Sequence, residues 1–313
     1  MSSKPLISIV IPAYNAGPAL LRAAVKSALA QTYGNVEVIV VNDASTDNTM
    51  TGINTISDPR LRTLSLPDNL GPSAARNAGT HAARGEWLCY LDADDRILPD
   101  MLSRLMDIAE TCGADIACCD FQRVPLGARI PQEVEPRPVL TATPEAAIAE
   151  VLYQTGNLNN SPGGKIYRRE LCEKQPWLSG RFEDLRTFYR IFLEANKIAW
   201  TAEPFYVYTV NPTSYMQVYT PARAVVLDVV EEMVEFMAEN CPGLVAAARD
   251  RALSAAFNIL KLMRANGAKE PATAARCKAI IRRYRRASLL NPRVRAKNKA
   301  AIAASYLGGL LFF

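Results

Sequence analysis

The chain has 313 residues, 49% of them hydrophobic and 21% charged, with a formal net charge of +5. That composition belongs to a folded globular protein and excludes a collagen-like, low-complexity or largely disordered chain. The length suits about two domains, or one large α/β domain with an appendage. The charge is unevenly spread. No acidic residue follows Glu270, and the 43 residues beyond it carry ten basic ones: Arg276, Lys278, Arg282, Arg283, Arg285, Arg286, Arg293, Arg295, Lys297 and Lys299. Removing those ten from the 36 lysines and arginines leaves 26 against 31 acidic residues, so residues 1–270 carry a net −5. A wholly basic terminus suggests a polyanionic partner surface, lipid headgroups or nucleic acid, and a solvated basic helix competes with that reading. Seven cysteines without CxxC or Cys/His spacing read as free thiols of a reducing cytoplasm, not as a zinc site. The opening MSSKPLISIVIPAYN has an apolar run too short for a signal peptide. No stretch reaches the about 20 apolar residues that span a bilayer.

In chain order, LISIVIP (6–12) reads as a buried strand of a parallel sheet, and residues 17–31 as a helix. VEVIVVND (36–43) is a second buried strand, followed by a polar turn with an N-cap at Ser45, Thr46 or Asp47. LRTLSL (61–66) is a third strand, and NLGPSAARNAGTHAA (69–83) a loop running into a helix. EWLCYLDADD (86–95) is a fourth strand ending in carboxylates; a helix from Pro99 to about Cys112 follows, then a fifth strand at 115–124. Residues 125–144 read as a long loop or hairpin, and 145–155 as a helix. NLNNSPGGKIYRRE is a loop into a short strand or helix; 181–196 form an amphipathic helix with Phe182 on its apolar side; 204–210 form a strand. Residues 222–265 and 271–307 are helical in pattern. Strand–helix alternation predicts a doubly wound α/β sheet over 1–221 with a helical C-terminal region over 222–313.

Ligands of open α/β sheets bind beyond the carboxyl ends of the strands. Four polar clusters occupy such ends: PAYN (12–15), NDASTD (42–47), the NLGPSAARN loop (69–77) and DADD (92–95). Asp92 and Asp94 on alternate residues would repel each other unless a cation sat between them, and a hard divalent ion such as Mg²⁺ or Mn²⁺ prefers such oxygens together with substrate phosphates. A turn in which Asp95 caps the next helix is the competing interpretation. No Walker sequence and no GxGxxG follows the first strand, which argues against P-loop and dinucleotide-binding proteins. Gly71 and Arg76 remain near a helix start, and Arg76 can hold a phosphate, a ribose or a base edge, or pair with a strand-end aspartate.

In this order and spacing, ISIVIPAYN, VEVIVVNDASTDNT, NLGPSAARNAG and EWLCYLDADD resemble glycosyltransferase family 2, the inverting nucleotide-sugar transferases of GT-A fold. GGKIYRREL, RFEDLRTFYRI and YTVNPTSYM are weaker family stretches, so the resemblance covers roughly 6–216. It implies a GT-A fold, Rossmann-like and doubly wound with a mixed sheet, and a Mn²⁺ or Mg²⁺ cofactor. It implies that Pro12, Ala13, Tyr14 and Asn15 line the nucleotide pocket, that Asp43 reads the base edge, and that Gly71 and Arg76 lie near the nucleotide. Asp92, Ala93 and Asp94 match the Asp-x-Asp motif, Asp94 ligating the metal and Asp92 approaching the ribose. Asp184 matches the catalytic base, with Glu183 the alternative beside it. Physically, Tyr14 can stack on a uracil whose imide N–H donates to Asp43. A carboxylate must also take the proton of an attacking sugar hydroxyl, and burial beside a second acid would raise the pKa of Asp184 toward a useful value.

The glycines of GGKIYRRE replace a bulkier pair found in many relatives, which would widen the acceptor side. Lys165 can meet a phosphate or be a surface charge. His81 reads as a packing or surface residue and Trp87 as core, while Trp177 and Trp200 fit core or rim packing better than stacking on acceptor sugars. The resemblance also implies a nucleoside diphosphate sugar donor, UDP above all, and a glycan or lipid-linked acceptor of bacterial-type polysaccharide biosynthesis. It gives residues 276–313 a part as a peripheral anchor on an anionic membrane at its cytoplasmic face. A helix packed on its own domain or across a homodimer competes with that anchor. A nucleic-acid partner lacks any accompanying module. Rival functions are a sugar-nucleotide nucleotidyltransferase, which needs a Gly-rich basic loop after the first strand, and a non-catalytic nucleotide-sugar or membrane-binding module, which intact Asp92, Asp94 and Asp184 argue against.

Overall fold

The computed structural model describes residues 4–210 and 219–306. The last part of YTVNPTSYM and the terminal LGGLLFF therefore lie outside the described residues. The chain divides into two compact units, Met1–Pro144 with Asn160–Pro212, and Glu145–Asn159 with Thr213–Phe313. The helical unit thus takes in residues 145–159, a wider span than the contiguous 222–313 expected from the sequence.

In the first unit the elements run β1 (Ile7–Ala13), α1 (Pro18–Leu29), β2 (Val36–Asn42), β3 (Leu61–Ser65), α2 (Pro72–Ala82), β4 (Trp87–Tyr90), β5 (Arg96–Ile97), α3 (Met101–Cys112), β6 (Ile116–Cys118), β7 (Phe121–Pro125) and β8 (Val139–Ala142). After α4 (Pro144–Tyr153), whose body belongs to the second unit, follow β9 (Lys165–Arg168), α5 (Arg169–Lys174), α6 (Glu183–Glu194), β10 (Ile198–Thr201) and β11 (Tyr206–Val210). Among the described residues one sheet has eight strands in the order β3-β2-β1-β4-β9-β6-β10-β8, and a second has three, β5-β11-β7. β1 pairs parallel with β2 and β4, whereas β9 runs antiparallel to both β4 and β6, so the large sheet is mixed. β1 and β2 are mostly apolar because both faces are covered: Ile7, Ile9, Val10, Ile11, Val38 and Val40 are fully buried, and the buried polar exceptions Ser8 and Glu37 meet in a 2.6 Å hydrogen bond from the Ser8 hydroxyl to Glu37 Oε1.

Several boundaries differ from the sequence expectation, each for a local reason. The fourth strand stops at Tyr90, and Asp92–Asp95 form a turn closed by the Asp95 N–H to the Asp92 carbonyl at 3.0 Å. Residues 115–124 divide at Cys119-Asp120 because β6 joins the large sheet and β7 the small one. β8 emerges from the expected loop at 125–144, and β10, IAWT, pairs with β6 and β8 where no strand was expected. The polar turn after β2 leads into a short 3-10 turn, Thr49–Gly52, with Asp47 Oδ1 accepting the Thr49 N–H at 2.9 Å. Phe182 precedes α6 in the left-handed region (φ 58°) instead of joining its apolar side.

In the second unit, α7 (Val226–Asn240), α8 (Val245–Ala265), α9 (Pro271–Leu290) and α10 (Ala296–Tyr306) replace two longer expected helices. The breaks fall at Pro242 and at Asn291-Pro292, where the ring cannot continue the helical hydrogen bonding. α9 packs on α8 through buried Cys277, Ile280, Ile281 and Tyr284. Arg282, Arg283, Arg286, Arg293 and Lys297 are exposed, and Arg276 is bound to Asp228 and Glu231 of α7. The basic C-terminal segment is therefore a packed helix pair with a cationic outer face.

Candidate active site

At the carboxyl ends of β1, β2 and β4 lies a cleft of about 500 Å³. It is lined by Pro12, Ala13, Tyr14, Asn15, Asp43, Gly71, Arg76, Asp92, Ala93, Asp94 and Glu183, all nominated from the sequence. Ala16, Leu20, Asn69, Pro72 and Ala75 complete the lining and were not nominated. Asp184 is not among the lining residues.

The walls are held by side chains that fasten one strand-end loop to the next. Asp43 is buried, and its two oxygens accept the N–H groups of Leu70 and Gly71, each at 2.9 Å, so it anchors the loop before α2. Asn15 Oδ1 accepts from the N–H groups of Thr46 and Asp47, at 2.8 and 3.2 Å, which ties the end of β1 to the loop after β2. Tyr14 is 47% exposed and so is not a packed turn residue. Asn15, Ala44 and Phe182 have positive φ (47°, 55° and 58°). Each is in the cleft lining or next to a lining residue, and strained backbone of this kind concentrates at functional sites.

Arg76 is the hub of the cleft. Its side chain is 5% exposed; one terminal nitrogen lies 3.1 Å from Asp92 Oδ1 and the other 3.1 Å from Glu183 Oε1. Its guanidinium also sits 5.4 Å from the ring centre of Trp177. Burial works against the charge, but Asp92 and Glu183 outweigh it and raise the Arg76 pKa further. Trp177 is therefore a buried wall behind Arg76, in edge contact with Tyr90. Trp87 is core and His81 is exposed, as expected.

Three aspartates crowd the end of β4. Asp94 as a residue is exposed, yet desolvation of its carboxyl, then repulsion by Asp92, raises its pKa above the ordinary aspartate value. Asp95 does not cap α3, whose N-cap is Asp100. It is buried, accepts the Tyr206 hydroxyl at 2.9 Å and the Thr209 N–H at 2.8 Å, and is raised by burial and by Asp92 and Asp94. The same Tyr206 hydroxyl accepts the Asp92 N–H at 3.3 Å, so β11 of the small sheet fixes the turn. Among the described residues no group of three or more His, Cys, Asp or Glu is set to hold a metal ion. The donor chemistry nonetheless fits: Asp92 and Asp94 are hard oxygen ligands whose mutual repulsion a divalent cation would relieve, and Mg²⁺ commonly takes one or two carboxylates with phosphates and water.

Glu183 and Asp184 open α6, where the helix N-terminus favours negative charge. Asp184 Oδ2 accepts from Asn160 Nδ2 at 2.5 Å. Asn160 belongs to none of the strand-end motifs; its signal in the sequence is a turn-rich NNSPGG leading into a buried strand. Lys165 is not a surface charge: it is 1% exposed, and its ammonium donates to the carbonyls of Ser161 (2.7 Å) and Gly163 (3.3 Å). Nor do the glycines widen the site. A Cβ on Gly163 would fall 2.6 Å from the Tyr206 ring, and one on Gly164, at φ +68°, 2.5 Å from Phe121. Those two rings, stacked 4.5 Å apart, fill the space.

Glycosyl transferase family 2 matches residues 8–175, more than half of the chain, and the chain belongs to that family. The succinoglycan biosynthesis protein ExoO of Rhizobium meliloti is 45% identical over 125 residues, 40% of this chain and 36% of ExoO. The uncharacterized glycosyltransferase EpsJ of Bacillus subtilis is 33% identical over 227 residues, 70% of this chain and 65% of EpsJ. The chain spans less than two thirds of the length of either relative. Among solved structures, residues 1–349 of S. aureus TarS in complex with UDP-GlcNAc match with a TM-score of 0.67 at 21% identity, over 97% of this chain and 88% of that one. The fold is GT-A, with the mixed sheet and helical C-terminal part that the sequence predicts.

Proposed function

We propose that the chain is an inverting, metal-dependent glycosyltransferase that moves a sugar from a nucleoside diphosphate, UDP above all, to a hydroxyl of a glycan or lipid-linked acceptor in polysaccharide assembly. The observation that carries this reading is the convergence of four strand-end segments and Glu183 on one cleft around a buried arginine. Membership of the family supports the reaction class. The UDP-GlcNAc in TarS supports the donor, and the succinoglycan role in the name of ExoO supports the product class.

Each oxygen of Asp43 keeps a lone pair after accepting from Leu70 or Gly71, and one of them takes the imide N–H of a uracil. Tyr14 covers the base. Arg76 supplies a permanent positive charge beside the diphosphate, and Glu183 holds Arg76 in place. Asp92 and Asp94 would hold Mn²⁺ or Mg²⁺, and the bound ion would supply a positive charge to offset that of the leaving diphosphate. Asp184 takes the proton of the acceptor hydroxyl as its oxygen attacks the anomeric carbon. The bond to the UDP oxygen breaks on the opposite face, so the configuration inverts.

The exposed cations of α9 and α10, with Leu290 77% exposed between them, form the contact with an anionic leaflet at the cytoplasmic face. Each contributes about 1 kcal/mol near such a surface. Among the described residues no helix is long and apolar enough to cross a membrane. Proton NMR of the product made from UDP-glucose or UDP-GlcNAc, both α-linked donors, tests the reaction. A β-linked product is expected, and an α-linked product refutes inversion.

A further inference from the structure

The turn that carries Asn160 is fastened along its whole length. The Lys165 ammonium takes the carbonyls of Ser161 and Gly163. The Tyr167 hydroxyl donates to the Pro162 carbonyl at 3.1 Å, and the Cys119 N–H to the Gly164 carbonyl at 2.9 Å. Lys165 and Tyr167 belong to β9, which lies between β4 and β6 in the large sheet, and Cys119 directly follows β6. On the other side Gly163 and Gly164 press against the rings of Tyr206 and Phe121. The turn is thus a fixed arm of the sheet, and Asn160 at its end donates to Asp184 Oδ2.

Lys165 adds charge to this geometry. A buried ammonium is costly unless its donors and its charge are met. Burial lowers its pKa, while Cys118, Cys119 and Asp184 act in the opposite direction. Burial pushes the Cys118 thiol up to about 11 and raises Cys119 as well, so both are neutral at physiological pH. Asp184 is then the anion whose charge acts on the buried cation.

We propose that Asn160 and Lys165 are positioning residues for the reaction, Asn160 by holding the Asp184 carboxylate at its Oδ2 and Lys165 by bracing the 160–164 turn and supplying the balancing charge. This rests on Asp184 being the base. The test compares Asn160→Ala, Lys165→Arg, Lys165→Met and Asp184→Asn in the full chain, with UDP release from UDP-glucose and UDP-GlcNAc in Mn²⁺ and UDP affinity by calorimetry. Asn160→Ala should lower kcat about 10–100-fold, the range expected for a misplaced catalytic group, with donor KM and UDP Kd within about twofold. Lys165→Arg should keep more of kcat than Lys165→Met. An unchanged kcat in Asn160→Ala, with Asp184→Asn inactive, overturns the positioning role alone. An equal loss of kcat and UDP affinity also overturns it, whereas turnover retained in Asp184→Asn overturns the base assignment instead. A crystal structure of Asn160→Ala needs no turnover: a displaced Asp184 carboxylate is expected, and an unmoved one contradicts the proposal.

Discussion

Glu183 and Asp184 are neighbours in the chain but serve different partners: Glu183 lines the cleft and binds Arg76 at 3.1 Å, whereas Asp184 accepts from Asn160 at 2.5 Å. Two adjacent acids at one helix start are thereby separated into one that lines the cleft and one that is oriented by a different loop. Their substitutions should differ in kind. Asp184→Asn should lower transfer about 10²–10⁴-fold with UDP affinity unchanged, as loss of a general base does. Glu183→Gln should weaken UDP binding and cost about 1–3 kcal/mol of stability, because a hydrogen bond to a buried charge is weakened. Calorimetric titration and thermal melts of the two variants check this; identical phenotypes would contradict the division.

Arg76 balances Asp92 and Glu183 at once, so its loss leaves two acids facing each other. Asp92 is 35% exposed on its side chain, which screens part of the effect, so Arg76→Met should cost about 3 kcal/mol, the low end for a broken buried pair. Arg76→Lys keeps the charge but not the fork that reaches both carboxylates, and should recover only part of the stability. Denaturant melts give both values.

Away from the cleft, Asp250 of α8 is buried beside Asn298, whose Nδ2 donates to both carboxylate oxygens at 3.2 Å. Burial raises its pKa despite the opposing effects of Asn298, Arg295 and Arg251. The folded state therefore favours the protonated acid. Its stabilising contribution is complete below the unfolded aspartate pKa of about 4 and is lost as pH rises through the folded value. The melting temperature of Asp250→Asn should accordingly gain on that of the unsubstituted chain as pH rises from about 4 toward neutrality. A difference independent of pH would count against it.

The cationic face of α9 and α10 should bind vesicles of anionic phosphatidylglycerol and not those of neutral phosphatidylcholine. Replacing Arg282, Arg283 and Arg286 together by Gln removes about 3 kcal/mol of attraction at about 1 kcal/mol per cation, enough to abolish flotation with the vesicles. Flotation unchanged by the triple substitution would remove this surface as the contact.

The sheet was legible where its strands are buried on both faces. β1, β2 and β4 read as predominantly apolar runs because most of their side chains on both faces are buried, Ser8 and Glu37 being the buried polar exceptions. β10 did not, because IAWT is four residues long and its pairing with β6 and β8 is entirely non-local. The division at Cys119-Asp120 carries no glycine or proline to mark it, and Pro242 and Pro292 were visible breaks inside otherwise periodic helices. In the cleft, the four strand-end motifs could be found because each is contiguous. Arg76 meets Glu183 across 107 positions and Asn160 meets Asp184 across 24, and no spacing rule within one sequence reports such meetings. The glycines before Lys165 looked like added room; they are the places where two aromatic rings leave none for a Cβ.

Consumption of a nucleotide sugar with a divalent metal at the cleft around Arg76, Asp92 and Asp94 should be visible as UDP or GDP release from a panel of nucleotide sugars, with and without Mn²⁺, in the unsubstituted chain and in Asp94→Ala. Mn²⁺-dependent release from a UDP-sugar that disappears in Asp94→Ala is the predicted result. Release that ignores both Mn²⁺ and Asp94, or no release from any donor of the panel, would contradict the account.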